Sequence, residues 1–249
     1  MKLENYLQEI KQFLKEMLHK TGASTYVLGL SGGIDSSLVA ALSKEAVGKE
    51  KLMCIMMPID SHPDDLKDAL YLANYFKLNY LVIDGSKSFH ATVDEYKKQG
   101  VELSFAALTN LKVRIRMTIL YAYAQTHGGL VLGTDNMDER YTGYFTKYGD
   151  GGVDLMPIAH LVKSEVMEAA SMLGVPDYLV KRVPTAGLFP GQTDEKEMGV
   201  TYRDLDAYLL GKEVSEETKM RIEHLHRISN HKREPIPTPS EYVREEDGK

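Results

Sequence analysis

Residues 27–42 read VLGLSGGIDSSLVAAL, and the residues able to do chemistry are the seven in the middle, Ser31-Gly32-Gly33-Ile34-Asp35-Ser36-Ser37. A strand that enters a glycine turn and continues as a helix leaves several backbone N–H groups unpaired at the helix start. Those donors and the positive helix end favour an anion, and glycine lets a phosphate approach with no Cβ in the way. The helix dipole contributes only about 0.3–1 kcal/mol per charge, so hydroxyls and a metal ion have to help. Ser31, Ser36 and Ser37 supply the hydroxyls. Asp35 would repel a bare phosphate, and its carboxylate suits a magnesium ion that bridges it to a pyrophosphate.

Three rival readings use the same residues. In the first, the stretch is simply a capped turn, with Ser31 or Asp35 as N-cap. In the second, Gly29-Leu30-Ser31-Gly32-Gly33 satisfies G-x-S-x-G, with Ser31 as a hydrolase nucleophile. That elbow belongs after several strands with an oxyanion loop upstream, whereas this serine follows the first strand, and His127-Gly128-Gly129 lies downstream. It also leaves Asp35 unexplained. The third, a lysine-bearing phosphate loop, fails because no Gly-Lys-Ser/Thr closes the turn.

The elements that must hold this loop follow from periodicity. Leu3, Leu7, Ile10, Leu14 and Met17 recur at helical spacing. Thr25 to Leu30 reads as strand one and Asp35 to Val47 as the helix after it. KLMCIMMP suits a strand buried on both faces, Pro63 to Lys77 a helix, Asn79 to Asp84 strand three. Ser104 to Thr126 is a long helix ended by His127-Gly128-Gly129. Leu130 to Gly133 is strand four and Leu155 to Ile158 a short fifth. The expected fold is therefore α/β: a doubly wound, mainly parallel five-stranded sheet with helices on both faces. Residues 184–197, with two prolines, two glycines and no periodicity, read as a mobile loop. Two helices follow, about Tyr202–Leu210 and Ser215–Asn230, and three prolines keep the tail extended. The expectation is one domain over 1–249, with 184–249 as loop, helical extension and tail.

Bulk properties narrow the class. A chain of 249 residues buries roughly three quarters of its unfolded surface and needs no disulfide or structural metal. The net charge of −6 leaves no electrostatic footprint for nucleic acid or an anionic membrane. No apolar stretch reaches the ~20 residues of a bilayer span, and the N-terminus carries acids where a signal peptide has its apolar core. A single cysteine, Cys54, permits no intrachain disulfide and points to a reducing compartment, the cytoplasm.

Further along, GTDNMDE, TGYFTKYGDGGVDLMPI, PTAGL, GQTDEKEMGVTYRDLD and His231-Lys232 follow in order. SGGIDSS after the first strand resembles the pyrophosphate loop of the ATP pyrophosphatases. The whole succession resembles ammonia-dependent NAD synthetase over nearly the entire chain, most specifically between Gly133 and Ile158. The resemblance implies ATP at Gly29, Leu30, Ser31, Gly32, Gly33, Ile34, Asp35 and Ser36, with further contacts from Thr134, Lys163 and Thr185. It implies magnesium at Asp35 and Glu139, and nicotinic acid adenine dinucleotide (deamido-NAD) at Arg114, Lys147, Asp154, His231 and Lys232. Asp150 would lie near the ammonia, where a carboxylate can accept a proton from ammonium. Lys163 opens a helix, where a lysine opposes the dipole unless a phosphate needs it. Arg116, two residues past Arg114, faces elsewhere on the helix and is not carried over.

Two departures stand out: MMPID after strand two, and Asn136 where several relatives have histidine. Neither is expected to touch the metal or phosphate set. The implied activity is amidation of deamido-NAD through an acyl-adenylate, in a homodimer with substrate at its interface. Free ammonia is the expected nitrogen source, because Cys54 sits in a buried-looking strand and no residues remain for a glutaminase domain; a separate glutaminase subunit stays possible. Two alternatives remain open. One is another ligase sharing the loop, such as a GMP synthetase or a tRNA-modifying enzyme, though the acidic charge argues against RNA. The other is a non-catalytic adenine nucleotide-binding module.

Overall fold

The computed structural model describes residues 1–182, 184 and 193–242. Helix α1 (Leu3–Thr21) turns Leu7, Ile10, Leu14 and Leu18 inward, and β1 (Thr25–Gly29) follows it. Next come α2 (Ile34–Val47), β2 (Leu52–Met56), α3 (Pro63–Tyr75), β3 (Asn79–Val82) and α4 (Ser86–Lys98). Helix α5 (Phe105–Thr126) leads into β4 (Gly129–Leu132), and α6 (Met137–Thr142), α7 (Lys163–Met172) and α8 (Asp177–Val180) complete the first part. Helices α9 (Asp194–Met198), α10 (Tyr202–Leu209) and α11 (Glu216–Ile228) form the C-terminal extension.

The strands make one parallel sheet in the order β3-β2-β1-β4. Their apolar runs are explained by cover on both faces. Leu28, Cys54 and Met56 pack with α1, α2, α3 and α7 in the main core, while Val27, Ile55 and Val131 pack against Leu120 and Ala124 of α5 on the other face. The chain moves outward from β1 through β2 to β3, then returns to the far side of β1 as β4. The connections leaving β1 and β4 therefore diverge, opening a crevice at the carboxyl ends of these strands.

The doubly wound layering is as expected, with four strands rather than five. Leu155 makes an isolated bridge to Leu132. Pro157 has no N–H with which to extend a ladder, and the Val131 N–H donates to the Asp154 carboxylate at 2.7 Å. A side chain has taken a bond that a fifth strand would use. The tract expected to be a loop over 184–197 contains α9, whose first turn holds Asp194, Glu195 and Glu197 at the positive helix end. Of that tract, 185–192, with Thr185, lies outside the described residues. Helix α4, unassigned from sequence, buries only Phe89, too little for an apolar stripe to show.

Asp154 accepts from Val131 N–H and from the Tyr121 hydroxyl, so it ties 153–158 to the sheet. Asp154→Ala strands a buried donor and is expected to cost about 1–3 kcal/mol of stability, read as a lowered urea midpoint at unchanged slope.

Candidate active site

The crevice holds a cavity of about 450 Å³ lined by residues from the β1–α2 turn, the segment after β4, α5 and α7. The turn is built from its own serines. Ser31 Oγ lies 3.1 Å from Ser36 Oγ and accepts from Gly33 N–H, while Ser36 and Ser37 hydroxyls both donate to the Gly33 carbonyl. Helix α2 starts at N-cap Gly33 with no side-chain cap, so its first N–H groups remain for a ligand. The capped-turn reading with Ser31 or Asp35 as N-cap thus fails. The hydrolase reading fails too: among the described lining residues there is no histidine to activate Ser31. Gly32, at φ +83°, takes a conformation that favours glycine, and a Cβ there would lie 2.7 Å from the Asp65 carbonyl oxygen.

Opposite the turn, Lys163 reaches back from the first position of α7. Its side chain is 3% exposed, and Nζ sits 2.6 Å from Asp35 Oδ2 and 3.9 Å from Glu139 Oε1. Burial pulls the lysine pKa down, but the two carboxylates outweigh it and hold the value above that of ordinary lysine. Burial and the neighbouring Asp35 push Glu139 well up, against the pull of Lys163. The dipole conflict foreseen for Lys163 is resolved by acids. Its backbone N–H donates to Asp138 and Asp206, Ser164 N–H to Asp206, and Val162 N–H to Glu165. The positive helix end is answered while the ammonium points into the cavity.

Asn136 corrects an expectation. Its Oδ1 caps α6 by accepting from Glu139 N–H, Glu139 Oε2 accepts from Asn136 N–H, and Asn136 Nδ2 donates to Asp35 Oδ1 at 2.9 Å. This residue holds both candidate metal acids. The spacing Asn-x-x-Glu is a capping-box signature that sequence alone could have yielded; its bond to Asp35 could not be read that way.

The structure places the other expected residues in two groups. Gly29, Leu30, Ile34 and Thr134 line the cavity with the turn. Asp150 lines it as well, its Oδ1 accepting from Thr146 and Gly151 N–H; burial raises its pKa against these bonds. At the rim, Arg114 donates to the Lys147 carbonyl, Lys147 Nζ to the His231 carbonyl, and Lys232 Nζ to the carbonyls of Gly143 and Phe145. Of these, Lys232 lines the cavity; Arg114, Lys147, His231 and Asp154 do not.

Several residues were missed. Arg116 lines the cavity, donating to the Met57 carbonyl and to Ser61 Oγ, both at 3.1 Å, and burial lowers its pKa. Asp135, 4% exposed, has an oxygen with no hydrogen-bond partner among the described residues; burial first, and Asp150 next, push its pKa well up. Tyr202 donates to Asp194 at 3.0 Å, and its ring lies 4.9 Å from Lys163 Nζ.

Asn136→Ala removes the α6 cap and the Asp35 tether. It is expected to cost about 0.5–2 kcal/mol for the cap alone, measured by thermal unfolding. Asp138 carries a pH signal: burial and like-charged Asp206 raise its pKa from 3.8 to about 8. Between these values the folded protein keeps a proton that the unfolded chain releases, so this group lowers stability as pH rises from about 4 to about 8. Melting temperatures across that range are expected to fall less steeply for Asp138→Asn than for the parent.

Comparison with known proteins identifies the family. Residues 6–236 match the NAD synthase family. The NH(3)-dependent NAD(+) synthetase of Mesoplasma florum is 44% identical over 244 residues, 98% of this chain and 100% of that protein. A solved structure described as NMN synthetase from Francisella tularensis superposes with a TM-score of 0.91 at 37% identity, covering 96% of this chain and 99% of the other. An NH3-dependent NAD synthetase from Campylobacter jejuni, in complex with nitrate, gives a TM-score of 0.78 at 30% identity, covering 97% and 100%. On the family match and an identity that runs nearly end to end, this chain belongs to the NAD synthase family.

Proposed function

We propose that this chain makes NAD by ATP-dependent amidation of deamido-NAD with free ammonia, releasing AMP and pyrophosphate. The observation that carries the reading is the buried Lys163 held between Asp35 and Glu139 beside an uncapped helix start.

The nicotinate carboxylate attacks the α-phosphate of ATP. An acyl–phosphate bond forms, the bond between α-phosphorus and its bridging oxygen breaks, and pyrophosphate leaves with that electron pair. Carboxylate and triphosphate repel, so positive groups are needed at the reacting centre. The α2 N–H groups, the Ser31 hydroxyl and Lys163 supply them, with the Ser36 hydroxyl joining once it turns from the Gly33 carbonyl to phosphate, and Thr134 and Thr185 as further ATP contacts. Asp35 and Glu139 are the residues that would hold magnesium. Among the described residues no group of three or more protein ligands forms a metal cage. Magnesium is commonly held by one or two carboxylates plus substrate phosphates. Such an ion would neutralise developing phosphate charge.

Ammonia then attacks the acyl carbon. The new C–N bond forms, the C–O bond to AMP breaks, and the nitrogen sheds its extra proton. Asp150 is the proposed acceptor, open to the cavity with its pKa raised by burial. Arg114, Lys147, Asp154, His231 and Lys232 are proposed to hold the dinucleotide. Cys54 is fully buried and its thiol is pushed up to about 12, which supports free ammonia over a cysteine glutaminase within this chain. A homodimer completing the dinucleotide site, and a cytoplasmic location, belong to the same proposal.

A second reading is favoured by the TM-score of 0.91 to the structure described as NMN synthetase: the acid amidated would be the mononucleotide. Supplying ATP, magnesium and ammonium with either acid decides. The expected result is AMP and NAD in equal amounts, with deamido-NAD used faster than nicotinic acid mononucleotide. The opposite preference would install the second reading, and AMP without amide would sink both. Lys163→Ala is expected to lower kcat by about 10²-fold or more.

A further inference from the structure

We propose that Arg182 is a charge guard for the phosphate loop, a residue that offsets part of the charge of two acids the fold has to place beside the incoming triphosphate. The inference rests on the reading that ATP phosphates enter the Ser31–Ser36 turn.

The acids are Asp65 and Asp68, about one turn apart on α3. That helix cannot retreat from the loop, because its backbone packs on Gly32. A Cβ at Gly32 would lie 2.7 Å from the Asp65 carbonyl oxygen, 3.1 Å from Ala69 N and 3.2 Å from Asp68 Cβ. Asp65 lines the same cavity as Ser31 and Gly33. Two carboxylates so placed would repel a triphosphate. Arg182, just after α8, answers both with one fork: Nη1 donates to Asp68 Oδ2 at 2.9 Å, and Nη2 to Asp65 Oδ1. A planar guanidinium can serve two carboxylates at once, which an ammonium does less well. Among the described residues it is the only cation ion-paired with either acid. Tyr178 also bonds Asp68 but adds no charge, and Lys163 is committed to Asp35 and Glu139. The three side chains are only 28%, 18% and 17% exposed, so solvent screens them incompletely.

The sign of each substitution is then set. Titrating magnesium and ATP into the full chain without the acid substrate isolates binding from turnover. Arg182→Met is expected to weaken ATP binding about tenfold, equivalent to about 1.4 kcal/mol, with a smaller penalty at high salt. Asp65→Asn with Asp68→Asn, Arg182 kept, is expected to bind ATP more tightly than the parent. Combining all three substitutions removes both acids with the cation and is expected to restore affinity at least to the parent's. A triple variant as weak as Arg182→Met, or a single variant as tight as the parent, overturns the guard. Should Arg182→Met fail to fold, the triple variant against the parent decides alone. Ser31→Ala serves as the control. Unchanged ATP affinity there overturns the loop reading and the guard with it, whereas a weakened Ser31→Ala beside an unrescued triple variant overturns the guard alone.

Discussion

A buried ammonium with two carboxylates around it is the constraint on which this molecule turns. Lys163 is nearly sealed from solvent, and a charge there is tolerable only with partners in contact. Those partners, Asp35 and Glu139, come from the β1–α2 turn and from α6 beyond β4. Holding them near one nitrogen fixes where α7 meets the sheet and draws together the two diverging loops of the crevice.

Second partners hold the three charges in turn. Asn136 bonds both acids, and Asp138 and Asp206 take the α7 N–H groups. This leaves the lysine side chain independent of its own helix end, held instead by the two carboxylates. In the proposed reaction Asp35 and Glu139 are the residues that would hold magnesium, and Lys163 is the cation the chain itself keeps beside them. The same logic recurs at the mouth, where Arg182 balances Asp65 and Asp68. Charge compensation between distant segments, more than any single contact, is how this fold readies itself for a polyanion.

Much of the architecture was legible because local patterns carried it. Apolar runs alternating with amphipathic stretches implied the parallel sheet, and Gly32-Gly33 before an apolar helix implied a turn with free N–H groups. Elements with weak patterns escaped: α4 buries one aromatic, and the supposed fifth strand is tied by the Asp154 carboxylate instead of a ladder. Membership of the NAD synthase family was readable too, from motifs spread across the chain.

What the sequence by itself determined is thus the set of short-range facts: element types, the glycine turn before α2 and the presence of the acids, with the α6 capping signature available in the Asn-x-x-Glu spacing. Only tertiary structure decided which of them meet. Arg114 and Arg116 stand on different faces of α5, but that helix is apolar around much of its girth, so periodicity could not say which face looks inward. Met57 and Ser61, far back in the chain, draw Arg116 into the cavity. Lys163 finds Asp35 across 128 positions. Pairings at such separations depend on where the sheet sets its strand ends, and no local residue spacing encodes that.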